Sequence, residues 1–204
     1  MRLNARGLTC QRSGRTVFRD LDFTLQSGYA LIVTGPNGVG KSSLLRLLAG
    51  LVDVARGSLT LDGGALDTTL SEQAHYVGHL DALKAAMSVR QTVEFWSDFL
   101  GGAKVDVEQA LVAFDLTDLA ELPVTYLSAG QRRRLSLTRL LVTQRPLWLL
   151  DEPSVALDAA SLARLVSVME THLTSGGMIV ATTHQTLNIT PQVVLELGSQ
   201  KVSV

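Results

Sequence analysis

The chain opens on alternation. Leu3–Leu8 and Leu21–Leu25 place apolar side chains at about every second position, the period of a strand with one face buried. Gln26-Ser27-Gly28 reads as a turn, and Ala30–Val33 is a short unbroken apolar run, a buried strand that ends in a glycine-rich loop. The period then changes. Leu44, Leu45, Leu47 and Leu48 surround most of a helix over Ser42–Ala49, so that helix should be buried, with Gly50 closing it. From about Leu80 to Arg145 the pattern is mainly helical: Val89–Phe99 and Val107–Phe114, separated by Gly101-Gly102, then Leu127–Gln131 and an arginine-rich helix over Arg132–Thr143. Leu147–Leu150 and Met178–Thr182 are further buried strands. Between them Leu162, Leu165, Val166 and Met169 share one face of a helix over Ser161–Leu173. Gln192–Leu197 and Val202–Val204 are expected to add edge strands. Strands alternating with helices predict an α/β fold with a largely parallel sheet, interrupted by a helical insertion.

Composition changes this picture little. The 204 residues suit one domain, and 46% apolar residues can bury a sizeable core. Only 18% are charged, below the roughly 25% common in soluble domains. That excess fits either a surface that docks on a partner or an ordinary large α/β core. A net charge of −1 gives no basic excess for nucleic acid. One cysteine, Cys10, excludes a disulfide framework within the chain and fits a reducing compartment. Met1–Cys10 lacks the apolar core of a signal peptide, and no apolar run is long enough to span a bilayer.

The chemistry is concentrated in two places. Gly35, Pro36, Asn37, Gly38, Val39, Gly40, Lys41 and Ser42 match the pattern GxxxxGK(S/T), between a strand and a helix. Glycines turn the backbone so that successive N–H groups converge on phosphates, and the helix start favours anions. Lys41 can reach the β and γ phosphates, and the Ser42 hydroxyl can ligate Mg²⁺. Ser43 follows within reach. The second place is Asp151-Glu152, which ends the apolar strand Leu147–Leu150; ligands of open α/β sheets sit at such carboxyl ends. Asp151 is the candidate for Mg²⁺, and Glu152 for orienting or deprotonating an attacking water.

Leu127-Ser128-Ala129-Gly130-Gln131, upstream of that strand, resembles the LSGGQ signature of the ATP-binding-cassette (ABC) ATPases, with Ala129 in place of a glycine. Ser154–Asp158 resembles the D-loop of that family, and Thr182-Thr183-His184 its switch histidine. The resemblance covers essentially the whole chain. It implies a P-loop NTPase core sheet flanked by helices, an inserted α-helical lobe at about 80–145, and an N-terminal antiparallel β portion. The core lobe would be 1–79 with 146–204, within a single domain 1–204. It also implies ATP and Mg²⁺ as ligands and a head-to-tail homodimer, in which Ser128, Ala129, Gly130 and Gln131 of one chain complete the site of the other. His184 would sense the γ-phosphate. For Arg132–Arg134 a solvated helix face is the reading for most of the three, and a plain helix cap is open for Ser128–Gln131.

Two positions depart from the family. Arg12 stands about 23 residues before the phosphate loop, where an adenine-stacking aromatic is usual. A guanidinium plane can also stack on a base, and Phe18 is a second candidate. His79 stands where the family has a glutamine; it would reach Mg²⁺ or water as a catalytic residue, or face the partner or solvent. Gly78-His79, Leu127–Arg134, Leu147-Trp148-Leu149 and Thr182–Ile189 together resemble the CcmA-type ATP-binding subunits of bacterial cytochrome c maturation. That implies an ATPase on the cytoplasmic face of the inner membrane. It would be docked on an integral-membrane permease subunit (CcmB-type) and other cytochrome c maturation membrane proteins, with the segment around Tyr76–Val93 as the receptor. The alternatives are an ATPase subunit for another small substrate, a soluble ABC ATPase, or a non-hydrolysing scaffold. The absence of heptads and zinc ligands argues against the second, and the Asp151-Glu152 pair against the third.

Overall fold

A computed structural model gives the fold and describes residues 1–101, 107–183, 187–198 and the backbone of 201–203. Its strands are β1 (Arg2–Arg12), β2 (Arg15–Gln26), β3 (Ala30–Thr34), β4 (Arg56–Asp62), β5 (Ala74–Val77), β6 (Leu147–Asp151), β7 (Met178–Thr182), β8 (Gln192–Glu196) and β9 (Lys201–Ser203). Its helices are α1 (Lys41–Leu48), α2 (Val89–Phe99), α3 (Val107–Ala113), α4 (Ala129–Leu137) and α5 (Ala159–Thr174).

A six-stranded sheet runs in the order β5-β6-β7-β3-β8-β9, parallel except for β9, and a separate antiparallel sheet runs β2-β1-β4. The buried strands of the parallel sheet feed two cores by their two-residue period. Trp148, Leu150, Ile179, Ala181, Ala30 and Ile32 face one core, shared with Val89, Val93, Leu111 and Phe114 of the helical segment and Leu165 of α5. Leu147, Leu149, Met178, Val180, Leu31 and Val33 face the other, shared with α1 and with Leu3, Leu8 and Phe23 of the antiparallel sheet. Leucines on most sides of α1 are needed because it lies between the two sheets.

Several expectations are corrected. Gln192–Leu197 was expected at an edge, but β8 is internal, paired to β3 and β9, because β9 folds back on it. Val204 lies outside the described residues. The arginine-rich helix begins earlier, at Ala129. Ser128 Oγ accepts from Gln131 N–H while Gln131 Oε1 accepts from Ser128 N–H, a reciprocal cap that fixes the start. It also ends earlier. The Ser136 and Thr138 hydroxyls donate to the Arg133 and Leu135 carbonyls, and the chain tightens into a 3₁₀ turn at Thr138–Leu140. The weakly patterned β4 and the four-residue β5 were not anticipated.

Candidate nucleotide site

β3, β6 and β7 end at one edge of the sheet, because their parallel register sets Val33 beside Thr182 and Thr182 beside Asp151. The phosphate loop leaves β3 there and enters α1. Gly40, at φ 113°, turns the chain into the helix; an added Cβ would lie 2.6 Å from Val17 Cγ1, so only glycine fits. Lys41 begins α1 buried, its Nζ donating to the Gly35 and Pro36 carbonyls at 2.8 and 3.2 Å. The ammonium thereby sits within the ring of the loop. Val39 packs on the core beneath.

A cleft of about 660 Å³ opens over this edge, lined by Asn37, Gly38, Gly40, Lys41, Ser42 and Ser43 with Arg12, His79, Asp151 and Glu152. Val17, Arg46, Ser154 and Val155 complete it. A smaller cleft, of about 390 Å³ beside Met1, Gln26 and Asp62, lies at the opposite end of the β1–β2 hairpin and has no comparable chemistry.

Asp151 is 1% exposed. Its Oδ1 accepts from the hydroxyls of Ser42 at 3.0 Å and Thr182 at 2.8 Å, whereas its buried Oδ2 has no partner. A buried carboxylate oxygen with unmet acceptor capacity, beside a serine hydroxyl, is a hard-oxygen donor set that suits a divalent cation such as Mg²⁺. Glu152 follows with φ +50°, a left-handed conformation rare outside glycine, and its N–H donates to both the carbonyl and the hydroxyl of Thr182 at 3.1 Å. Arg46 is held on the cleft wall by the Tyr76 hydroxyl, which together with the Asp151 charge keeps its guanidinium more basic than usual. The cleft thus carries Lys41 and Arg46 opposite two carboxylates, cations for an anionic chain and acids for a metal and a water, with Arg12 also on its lining.

Residues 18–155 match the sequence model of ABC transporters. The chain belongs to the ABC transporter family. Within it, the cytochrome c biogenesis ATP-binding export protein CcmA of Nitrobacter winogradskyi is 56% identical over 93% of this chain and 94% of that protein. The protein of the same name from Brucella abortus is 47% identical over 93% of this chain and 88% of its own. Among solved structures, an ATP-binding subunit of an ABC transporter superimposes with a TM-score of 0.86 at 21% identity, covering 99% of this chain and 88% of that one. A Pyrococcus furiosus ABC ATP-binding protein gives 0.82 at 20% identity over the full length of both. This ABC subunit therefore binds nucleotide and hydrolyses ATP.

Not every anticipated residue comes to the cleft of this ABC subunit. Phe18 is buried in the core beneath Gly40, which removes it as an adenine platform and leaves Arg12, with Val17, at the mouth. Ser128, Ala129, Gly130 and Gln131 do not line the cleft of their own chain. The Ser128 cap uses its oxygen as acceptor, so its O–H remains a donor for an anion. Asp158 of the D-loop caps α5 through Ser161 N–H at 2.8 Å. His184 lies outside the described residues. The solvated-face reading of the arginines fails for Arg133 and holds in part for Arg132 and Arg134, which are half-buried and lie against nearby carbonyls. Arg132 donates to the Leu127 carbonyl, Arg134 to those of Phe114 and Asp115, and Arg133 is 3% exposed. Sequence reasoning also missed Thr182 and Arg46. Arg46 lies one turn beyond Ser42 on α1, a spacing that could have revealed it.

Proposed function

We propose that this chain is the ATP-hydrolysing subunit of an ABC transporter complex that serves cytochrome c biogenesis, the process named for its relatives. Among the described residues no helix is long and apolar enough to cross a membrane, so the proposal includes an integral-membrane partner and a peripheral inner-membrane location. Residues 80–145 form the lobe facing that partner, and 1–79 with 146–204 form the nucleotide lobe. Two chains associate head to tail, with Ser128–Gln131 of each donating to the γ-phosphate held by the other.

The observation that carries the catalytic reading is the unmet Asp151 Oδ2 beside Ser42, with Glu152 one residue further in a left-handed turn. Ser42 and Asp151 would hold Mg²⁺, which when bound neutralises charge on the β and γ phosphates. Lys41 and the loop N–H groups hold the phosphates in line. Glu152 accepts a proton from the attacking water as the O–P bond forms and the β–γ bridge breaks, giving ADP and phosphate. Lys41 and His184 offset the charge that develops on the γ oxygens. Arg12 stacks on the adenine, and His79 faces the attacking side. Loss of the γ-phosphate releases Ser128–Gln131, and opening of the dimer is the mechanical output.

Glu152→Gln tests this. The variant is expected to bind MgATP, to elute as a dimer in size exclusion, and to turn over negligibly. Hydrolysis at the parental rate would overturn the assignment of the base. Purification of the complex from membranes of the host is expected to recover cytochrome maturation subunits; recovery of an amino-acid or lipid permease instead would sink the biogenesis reading.

A further inference from the structure

Arg133 is a guanidinium placed in the interior of the protein, and all three of its nitrogens are used. Nη2 donates to the carbonyls of Asp151 at 3.0 Å and Glu152 at 2.8 Å, and Nε to that of Pro153 at 3.3 Å. Nη1 donates to the Gly78 carbonyl at 2.9 Å and to Asp81 Oδ1 at 3.2 Å. Burying a charge is costly, and a packing role at this position would be met more cheaply by an apolar side chain. The acceptors say what the charge is for. Three are successive carbonyls of the turn that carries Asp151 and Glu152. The other two flank His79. The donor itself lies on α4, whose capped start is Ser128. At Gly130 an added Cβ would meet the Ala156 carbonyl at 2.8 Å, so α4 bears on the segment after the acid pair at a second point.

Glu152 shows what this achieves. A left-handed non-glycine residue is strained and persists only where its surroundings dictate it. Here Thr182 takes its N–H and Arg133 takes its C=O, so both peptide groups flanking the strained residue are held. Arg139 reinforces the other side. Its Nη2 donates to the Asp81 carbonyl at 2.6 Å while its guanidinium lies 4.3 Å from the Trp96 ring centroid.

We propose that Arg133 is a positioning residue for hydrolysis: its planar fork locks the Asp151–Pro153 turn, the loop bearing His79 and the start of α4 into one body, and so sets where the Glu152 carboxylate meets water. The inference rests on Glu152 being the base. A single fork reaches four carbonyls and a carboxylate at once because it is planar with five donors; lysine, a point charge with three, cannot span both segments.

The test compares Arg133→Lys, Arg133→Met and Glu152→Gln in the full chain. ATP affinity is measured with a fluorescent ATP analogue, kcat is expressed per nucleotide-binding molecule, and amide exchange is followed over 148–157. Arg133→Lys is expected to bind nucleotide within about twofold of the parent, to lose about ten- to a hundredfold in kcat, and to exchange faster over the turn. A purely structural role would lower the folded fraction and leave kcat per binding molecule at the parental value, which overturns the proposal. So does unchanged exchange over the turn, or a loss of affinity matching the loss of kcat. Arg133→Met removes all the donors and is expected to lose at least as much. Should it fail to fold, the lysine variant decides alone. If Glu152→Gln is inactive while Arg133→Lys turns over normally, the positioning role alone fails; if Glu152→Gln is itself active, the function of Glu152 fails first.

Discussion

Thr182→Val removes one oxygen from the centre of the site and little else. Thr182 is completely buried, and valine keeps its β-branched shape in the strand. The hydroxyl both donates to Asp151 Oδ1 and accepts from the Glu152 N–H. Neither partner is orphaned by the change. Asp151 Oδ1 retains Ser42, and the Glu152 N–H retains the Thr182 carbonyl. The stability loss is therefore that of one hydrogen bond to a charged group, about 1.5–3 kcal/mol. For a chain of this size that is a fall in Tm of about 3–12 °C. The functional loss is larger in kind. Thr182 fixes the carboxylate whose other oxygen is proposed to meet Mg²⁺, and outer partners of metal ligands are worth about ten- to a hundredfold in metal affinity. Titrating Mg²⁺ at saturating ATP and following phosphate release should show the midpoint raised by that factor, with Thr182→Ser, which keeps both bonds, close to the parent. A parental Mg²⁺ midpoint in the valine variant would refute the reasoning. A serine variant as impaired as valine would show that the hydroxyl by itself does not account for the loss.

The remaining predictions concern acid stability and base recognition. His75, buried with Nε2 2.7 Å from the Thr143 carbonyl, and His172, stacked on Trp148, are both held neutral by desolvation, with pKa lowered to about 4. The unfolded chain takes up these protons near pH 6.5, the folded chain only near 4, so stability is fully present above 6.5 and falls between 6.5 and 4. The loss should reach about 2 kcal/mol per histidine by pH 5; urea midpoints at pH 7.5 and 5 measure it, and equal midpoints would refute it. Arg12→Ala should weaken ATP binding about three- to tenfold, the worth of a cation–π contact, while leaving tripolyphosphate binding unchanged. Equal losses for both ligands, by calorimetry, would make Arg12 a phosphate contact instead.

Motifs were legible where the chemistry is written in contiguous residues, and relations across the fold were not. Gly35–Ser42, Asp151-Glu152 and Ser128–Gln131 announce themselves because a phosphate loop, a metal pair and a helix cap each need neighbouring residues in fixed order. β4 escaped because Leu59 and Leu61 are its only apolar residues and, among the described residues, it pairs with β1 alone. β5 escaped because four residues containing His75 carry almost no period. Thr182 was passed over as a step toward His184. Yet β6 and β7 are adjacent parallel strands, and their register sets Thr182 beside Asp151. Arg133 is the more instructive omission, because the chain did contain its signal. With Ser128 as the cap, Arg133, Ser136 and Leu137 fall at i, i+3 and i+4, one face of α4, and all three are buried. Arg132 and Arg134 lie to either side of that face. A charge on the buried stripe of a helix has to find acceptors, and those in reach of α4 include the successive carbonyls of Asp151, Glu152 and Pro153. The three consecutive arginines are thus one internal fork and two outward neighbours, a distinction that helical phase makes and charge counting does not.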